Sequence, residues 1–104
     1  MRLIYGITAA QAFHKDFGLR DQIRRASVSV MANIAEGFGA SSDLDFSRYL
    51  SMSIRSALEV QSHLYVALDL GYVGEGDFKK VYNLTEDCMN LSKALIRYLK
   101  KSKN

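Results

Sequence analysis

The residues able to do chemistry are few, and their spacing does not suit the usual chemistries. Two histidines, His14 and His63, and one cysteine, Cys88, make up the soft ligand and nucleophile set of the 104-residue chain. One cysteine forms no intrachain disulfide, and neither histidine is near it in sequence, so no metal cluster is expected. A di-metal carboxylate site in a bundle takes Glu-x-x-His from two helices. Here Glu59 and His63 are four apart, and His14 has no glutamate at that spacing. Serines such as Ser29, Ser51 and Ser56 have no histidine base in reach by sequence, so no activated nucleophile is indicated. Gly37-Phe38-Gly39 and the Gly71, Gly74, Gly76 series follow helical patterns and lack both dinucleotide spacing and a phosphate-loop lysine. They read as turns, with left-handed glycine closing the helix at 37–39. No catalytic residue, metal or cofactor is therefore expected, and the chain reads as a non-enzyme.

The charges are more informative. The net charge of +3 hides a split. Residues 1–92 carry 9 basic and 11 acidic side chains, whereas residues 93–104 carry Lys93, Arg97, Lys100, Lys101 and Lys103 with no acid. Two readings stand. Cations suit a helix C-terminus, where the macrodipole is negative, and a clustered basic face suits nucleic acid.

Four helical segments must position these groups. With 48% hydrophobic and 24% charged residues and no proline, the chain reads as one globular domain over 1–104 with long helices. The first segment, 2–14, carries Leu3, Ile7 and Ala10 on one face, and Gly18 marks the connection. The second, 19–37, carries Leu19, Ile23, Ala26, Val30 and Ile34. The third, 42–70, opens on Ser42 and Asp45 in capping-box spacing and carries Phe46, Leu50, Ser53/Ile54, Ala57, Gln61, Leu64 and Leu68. The fourth, 77–101, carries the cleanest heptad of the chain: Val81, Leu84, Cys88, Leu91, Leu95 and Tyr98. Cys88 in that seam is expected to be a buried core thiol. Short connections make the expected fold an all-α, up-down-up-down four-helix bundle with a shortened first helix. The shortness leaves part of its neighbours uncovered. A second apolar line, Val28, Met31, Ala35 and Phe38, adds to the need for another subunit.

A polar line runs beside each apolar one. Gln22, Arg25, Ser29, Asn33 and Glu36 share one line of the second segment, and Arg48, Ser51, Arg55, Glu59 and Ser62 share one line of the third. An antiparallel hairpin between them pairs Glu36 with Arg48, Asn33 with Ser51, Ser29 with Arg55 and Arg25 with Glu59. This is either a solvated face or a partly buried polar network that fixes the register.

The stretch from Asp21 to Gly39, with Asn33-Ile34-Ala35-Glu36-Gly37 at its centre, resembles the signature of the four-helix-bundle proteins encoded by intervening sequences in 23S ribosomal RNA genes. Phe46-Ser47-Arg48-Tyr49-Leu50, Ser56-Ala57-Leu58-Glu59 and Leu68-Asp69-Leu70-Gly71-Tyr72-Val73 continue the resemblance, which covers about residues 3–100. The family is also similar to the accessory variability proteins of diversity-generating retroelements, pentameric barrels that associate with nucleic acid and a reverse transcriptase. The resemblance implies the bundle fold and a homopentamer; family members usually carry another turn or several of helix one before the position of Leu3, and this chain departs from that pattern. The family's usual Gly-Ser before Leu58 reads Arg55-Ser56-Ala57 here.

Two functions are thus expected. One is a self-assembling bundle that binds RNA or DNA through Arg20, Arg24, Lys93, Arg97, Lys100 and Lys101. The other is a structural or adaptor oligomer for a protein partner such as a reverse transcriptase. The apolar runs are too short to span a bilayer, so no membrane association is expected. The Leu3–Ala10 run is about half the length of a signal peptide and holds Gly6 and Thr8, so a cytoplasmic location is expected.

Overall fold

A computed structural model describes residues 1–101. The fold is all-helical and antiparallel in sequence order: α1 (Arg2–Thr8), α2 (Gln11–Lys15), α3 (Phe17–Phe38), α4 (Asp43–Asp69) and α5 (Glu75–Lys101). The long axis measures 51 Å against 21 and 17 Å, so the molecule is a rod.

The first segment departs from expectation by being two short helices. β-branched Thr8 ends α1, with its hydroxyl donating to the Ile4 carbonyl at 2.7 Å, and Ala10 is extended at ψ 141°. The connection to α3 is the single residue Asp16 rather than Gly18. Its carboxylate caps α3 by accepting the Leu19 amide at 3.2 Å and accepts the Tyr72 hydroxyl at 3.0 Å. Ser42 caps α4 as its spacing predicts, accepting from the Asp45 amide at 3.1 Å.

Gly71 alone among the described residues has positive φ, at 75°. The Tyr72 amide bonds the Ala67 carbonyl and the Gly71 amide bonds that of Leu68, a Schellman closure of α4. The glycines at 37–39 differ from the left-handed closure expected of them. Gly39 is right-handed, and Gly37 lies inside α3, where a Cβ would stand 2.9 Å from the Phe46 ring. Its role is to let α3 and α4 approach closely.

The core has two parts. The larger joins Ile4 and Phe13 of the first arm to Ile23, Val60, Leu64 and Val81. The smaller joins Val30, Ala57 and Met89 of the three long helices. Between α3 and α5 lies a cavity of about 90 Å³ that Met1, Leu3, Met31, Leu84 and Cys88 help to line. The α5 heptad seam therefore does not become core as expected. Val81 is buried, but Leu91 and Tyr98 are 68% and 67% exposed and Cys88 is half-buried. The short first arm covers only one end of the seam, which is the physical reason. No described helix is long and apolar enough to cross a membrane.

Candidate nucleic-acid interface

The amino-terminal half of α4 and the carboxy-terminal half of α5 run side by side, in a register fixed where Gln61 Nε2 donates to Glu86 Oε1 at 3.0 Å. Each helix turns a buried seam inward, through Leu50, Ala57 and Leu64 on α4 and Met89, Ser92 and Leu99 on α5. The rotation that buries Leu50 and Ala57 carries Arg48 and Arg55 to the outer rim, where they meet Lys100. Together with Ser47 and Ser51 they line a groove of about 420 Å³ over a floor of Leu44, Met52 and Ile96. Among the described residues no carboxylate lines that groove. Asp45 stands at its edge, with Oδ1 3.6 Å from Arg48 Nη1, and Asp43 shares the next hollow with Lys100. The balance of the groove is cationic, with hydroxyls between the charges.

The six basic candidates divide. Lys93, Arg97, Lys100 and Lys101 are exposed on α5, and Lys100 is part of the groove. Lys103 lies outside the described residues. Arg20 and Arg24 are engaged in holding the first arm. Arg20 Nε bonds Asp21 at 2.9 Å, its Nη1 donates to the His14 carbonyl at 3.2 Å, and its guanidinium lies 4.8 Å from the Phe17 ring centre. The Arg20 hydrogen bond and charge lower the Asp21 carboxyl below its ordinary value. Arg24 Nε donates to Thr8 Oγ1 at 2.8 Å, and its guanidinium lies over Tyr5, 4.6 Å from the ring centre.

The polar hairpin takes a different form from the one its spacing predicts. Arg25, Ser29 and Glu59 do share a groove between α3 and α4, with Gln22, Ser56 and His63. Among the described residues, however, no ion pair joins Arg25 to Glu59 or Glu36 to Arg48; the ion pairs are Arg20–Asp21 and Arg48–Asp45. Asn33 Nδ2 donates to the Ser29 carbonyl on its own helix at 2.9 Å. Ser51 and Arg55 face α5 instead of α3. The cause is rotational. Arg48 and Arg55 lie on the far side of α4 from the residues that meet α3, and the α4 side chain that hydrogen-bonds to α3 is Ser53. Buried to 1% exposure, it donates from Oγ to the Val30 carbonyl at 2.9 Å. Its signal in the sequence is a small hydroxyl at an apolar seam position. Arg48 and Arg55 were legible as cations, but their partnership with Lys100 had no signal in spacing along one helix. Among the described residues no group of three or more His, Cys, Asp and Glu could hold a metal ion.

Comparison with known proteins agrees with this architecture. A family model described as 23S rRNA-intervening sequence protein matches residues 1–95. A crystal structure of a protein with unknown function from the S23 ribosomal protein family of Bacteroides thetaiotaomicron superposes with a TM-score of 0.84 at 24% identity, covering 91% of this chain and 88% of that one. At that identity the likeness is one of fold. No curated protein matches the chain.

Proposed function

The chain belongs to the 23S rRNA-intervening sequence protein family, and from that premise we propose that it is a non-enzymatic, self-assembling helical bundle that binds RNA or DNA in the cytoplasm. The observation that carries this reading is the groove in which Arg48, Arg55 and Lys100 converge with no carboxylate among the described residues of its lining. Three cations with one carboxylate paired at the rim leave a net positive field, and phosphate backbones are ligands such fields attract. Self-assembly, with a homopentamer as the expected form, would repeat the groove around a ring and multiply its avidity. Support for assembly comes from the apolar surface left open on α3, where Met31 and Phe38 are 50% and 68% exposed. Fluorescence polarisation with labelled RNA and DNA tests the binding, and sedimentation tests the assembly. Binding that weakens steeply with salt supports the reading. A stable monomer at micromolar concentration, or no binding at low salt, would end the corresponding part.

A second reading is an adaptor oligomer for a protein partner such as a reverse transcriptase, without nucleic-acid contact. The exposed Leu91 and Tyr98 on the α5 seam favour it, since a heptad seam is a surface for another helix. Salt-independent capture of such a partner, together with no binding to nucleic acid, would select it.

A further inference from the structure

The cationic groove continues along the same α4/α5 face into an aromatic cluster. Ser51, Leu58 and Tyr65 recur every seven residues, so one side of α4 carries all three. Ser51 lines the groove, and Leu58 and Tyr65 are each 53% exposed. On α5, Phe78 and Tyr82 precede Ile96 and Lys100 by eighteen residues, which is five helical turns, so they share the side that lines the groove. Beyond the Gln61–Glu86 bond the rings meet across the helix pair. The Tyr65 ring centre lies 5.0 Å from that of Phe78 and 5.7 Å from that of Tyr82, and Phe78 stacks on Tyr82 at 5.5 Å. A hydrogen bond between the Tyr65 and Tyr82 side chains ties two of the three together. Arg55 and Tyr65 are ten residues apart, about 15 Å along α4.

Resting on the nucleic-acid reading above, we propose that the ligand of this face is a single strand, with its phosphates on Arg48, Arg55 and Lys100 and an unpaired base stacked on the Tyr65 ring. A cationic groove combined with an aromatic platform is the arrangement that single-strand sites use. In a double helix the base faces are already stacked on one another, so a duplex offers its backbone to the cations and nothing to Tyr65. Tyr65 is the ring that makes the contact, because Phe78 and Tyr82 are half-buried beside it and support it. The charges divide in the same sense. Near the rings are Glu86, which accepts from Gln61, Asp69, one turn beyond Tyr65 on α4, and Lys79, next to Phe78. These three groups leave no positive surplus, so this end suits an uncharged base and the groove suits the backbone. Every base has a π-face, so a site of this kind tolerates many sequences.

The test uses the full chain and four labelled probes of about twelve nucleotides, within the usual single-strand site size. They are a thymine DNA strand, a uracil RNA strand, a DNA strand lacking its bases, and a duplex DNA. Polarisation is read between about 50 and 200 mM salt. The variants are Tyr65→Ala, Tyr65→Phe, and Arg48→Ala with Arg55→Ala, each checked for helix content by circular dichroism. One stacked base predicts that the base-free strand binds the unaltered protein roughly 5- to 150-fold more weakly than the thymine strand. Tyr65→Ala should weaken thymine-strand binding within the same range and leave base-free binding unchanged, and Tyr65→Phe should retain the affinity. Three phosphate contacts predict a roughly 20-fold loss of single-strand affinity over that salt range, and the one left in the double arginine variant predicts roughly 3-fold. The thymine and uracil arms report whether the strand preferred is DNA or RNA. Equal binding of base-free and thymine strands, an unchanged affinity in Tyr65→Ala, or tighter binding of duplex than of single strand would overturn the stacking assignment and leave the proposed function standing. An unchanged salt dependence in the double arginine variant would overturn the groove as the phosphate site. Absence of binding by every probe at the lowest salt would overturn both this inference and the nucleic-acid reading.

Discussion

Ser53 on α4 donates its hydroxyl to the main-chain carbonyl of Val30 on α3 at 2.9 Å, in a setting where Ser53 is 1% exposed. This side-chain bond to another helix's backbone fixes the two long helices both along and around their axes. Replacing Ser53 by Ala removes a donor from a carbonyl that sits within a helical ladder. Ser53→Ala should therefore lower stability by about 0.5–1.5 kcal/mol in a denaturant titration, with an unchanged m-value.

Gly37 should resist substitution although it lies inside a helix. Alanine favours a helix interior over glycine by about 1 kcal/mol. A Cβ at this position would stand 2.9 Å from the Phe46 ring and 3.3 Å from Tyr49 Cβ. Overpacking of this kind costs about 1–3 kcal/mol. Gly37→Ala should be net destabilising, and adding Phe46→Leu should recover part of the loss in a double-mutant cycle.

The first arm is held by Arg24 through Thr8 and Tyr5. Thr8→Val keeps the shape and removes the acceptor of a charge-assisted bond worth about 1.5–3 kcal/mol. Hydrogen exchange should accelerate in α1 while α4 amides keep their protection. Equal acceleration in α1 and α4 would show that the arm is not an independently opening unit.

The acidic residues of the polar hairpin should matter little to stability. Glu36 and Glu59 are exposed, and among the described residues no ion pair holds either. Glu36→Ala and Glu59→Ala should each cost about 0–1 kcal/mol, the range for a solvated face. A loss above about 2 kcal/mol in either would show a buried partner, such as another subunit.

The Tyr72–Asp16 bond gives a pH signature. Its hydrogen bond to the Asp16 carboxylate, burial and that negative charge raise the Tyr72 phenol above its ordinary 10.0. A raised folded-state value means that the bond contributes fully below pH 10 and is lost as pH rises through the folded value. Stability should therefore fall on alkaline titration above pH 10, and Tyr72→Phe should flatten that part of the profile.

Periodicity and end signals in the sequence determined much of this protein. They placed the long helices, the Ser42 cap, the Gly71 stop, the antiparallel order and the basic end of α5. These are local properties, fixed by which side chains share a helical face and which residues can close a turn. The break at Ala10 was less legible, because Gly6 and Thr8 weaken a helix without naming the residue where it stops. Tertiary packing decided how each helix is rolled about its axis. A polar line beside an apolar one can face either neighbour, and burying Leu50, Ala57 and Leu64 sent Arg48 and Arg55 toward α5 and Lys100. Packing likewise decided the fate of the α5 seam. A heptad marks where a helix could meet a partner, but packing decides whether its side chains are covered, and among the described residues Leu91 and Tyr98 are left exposed.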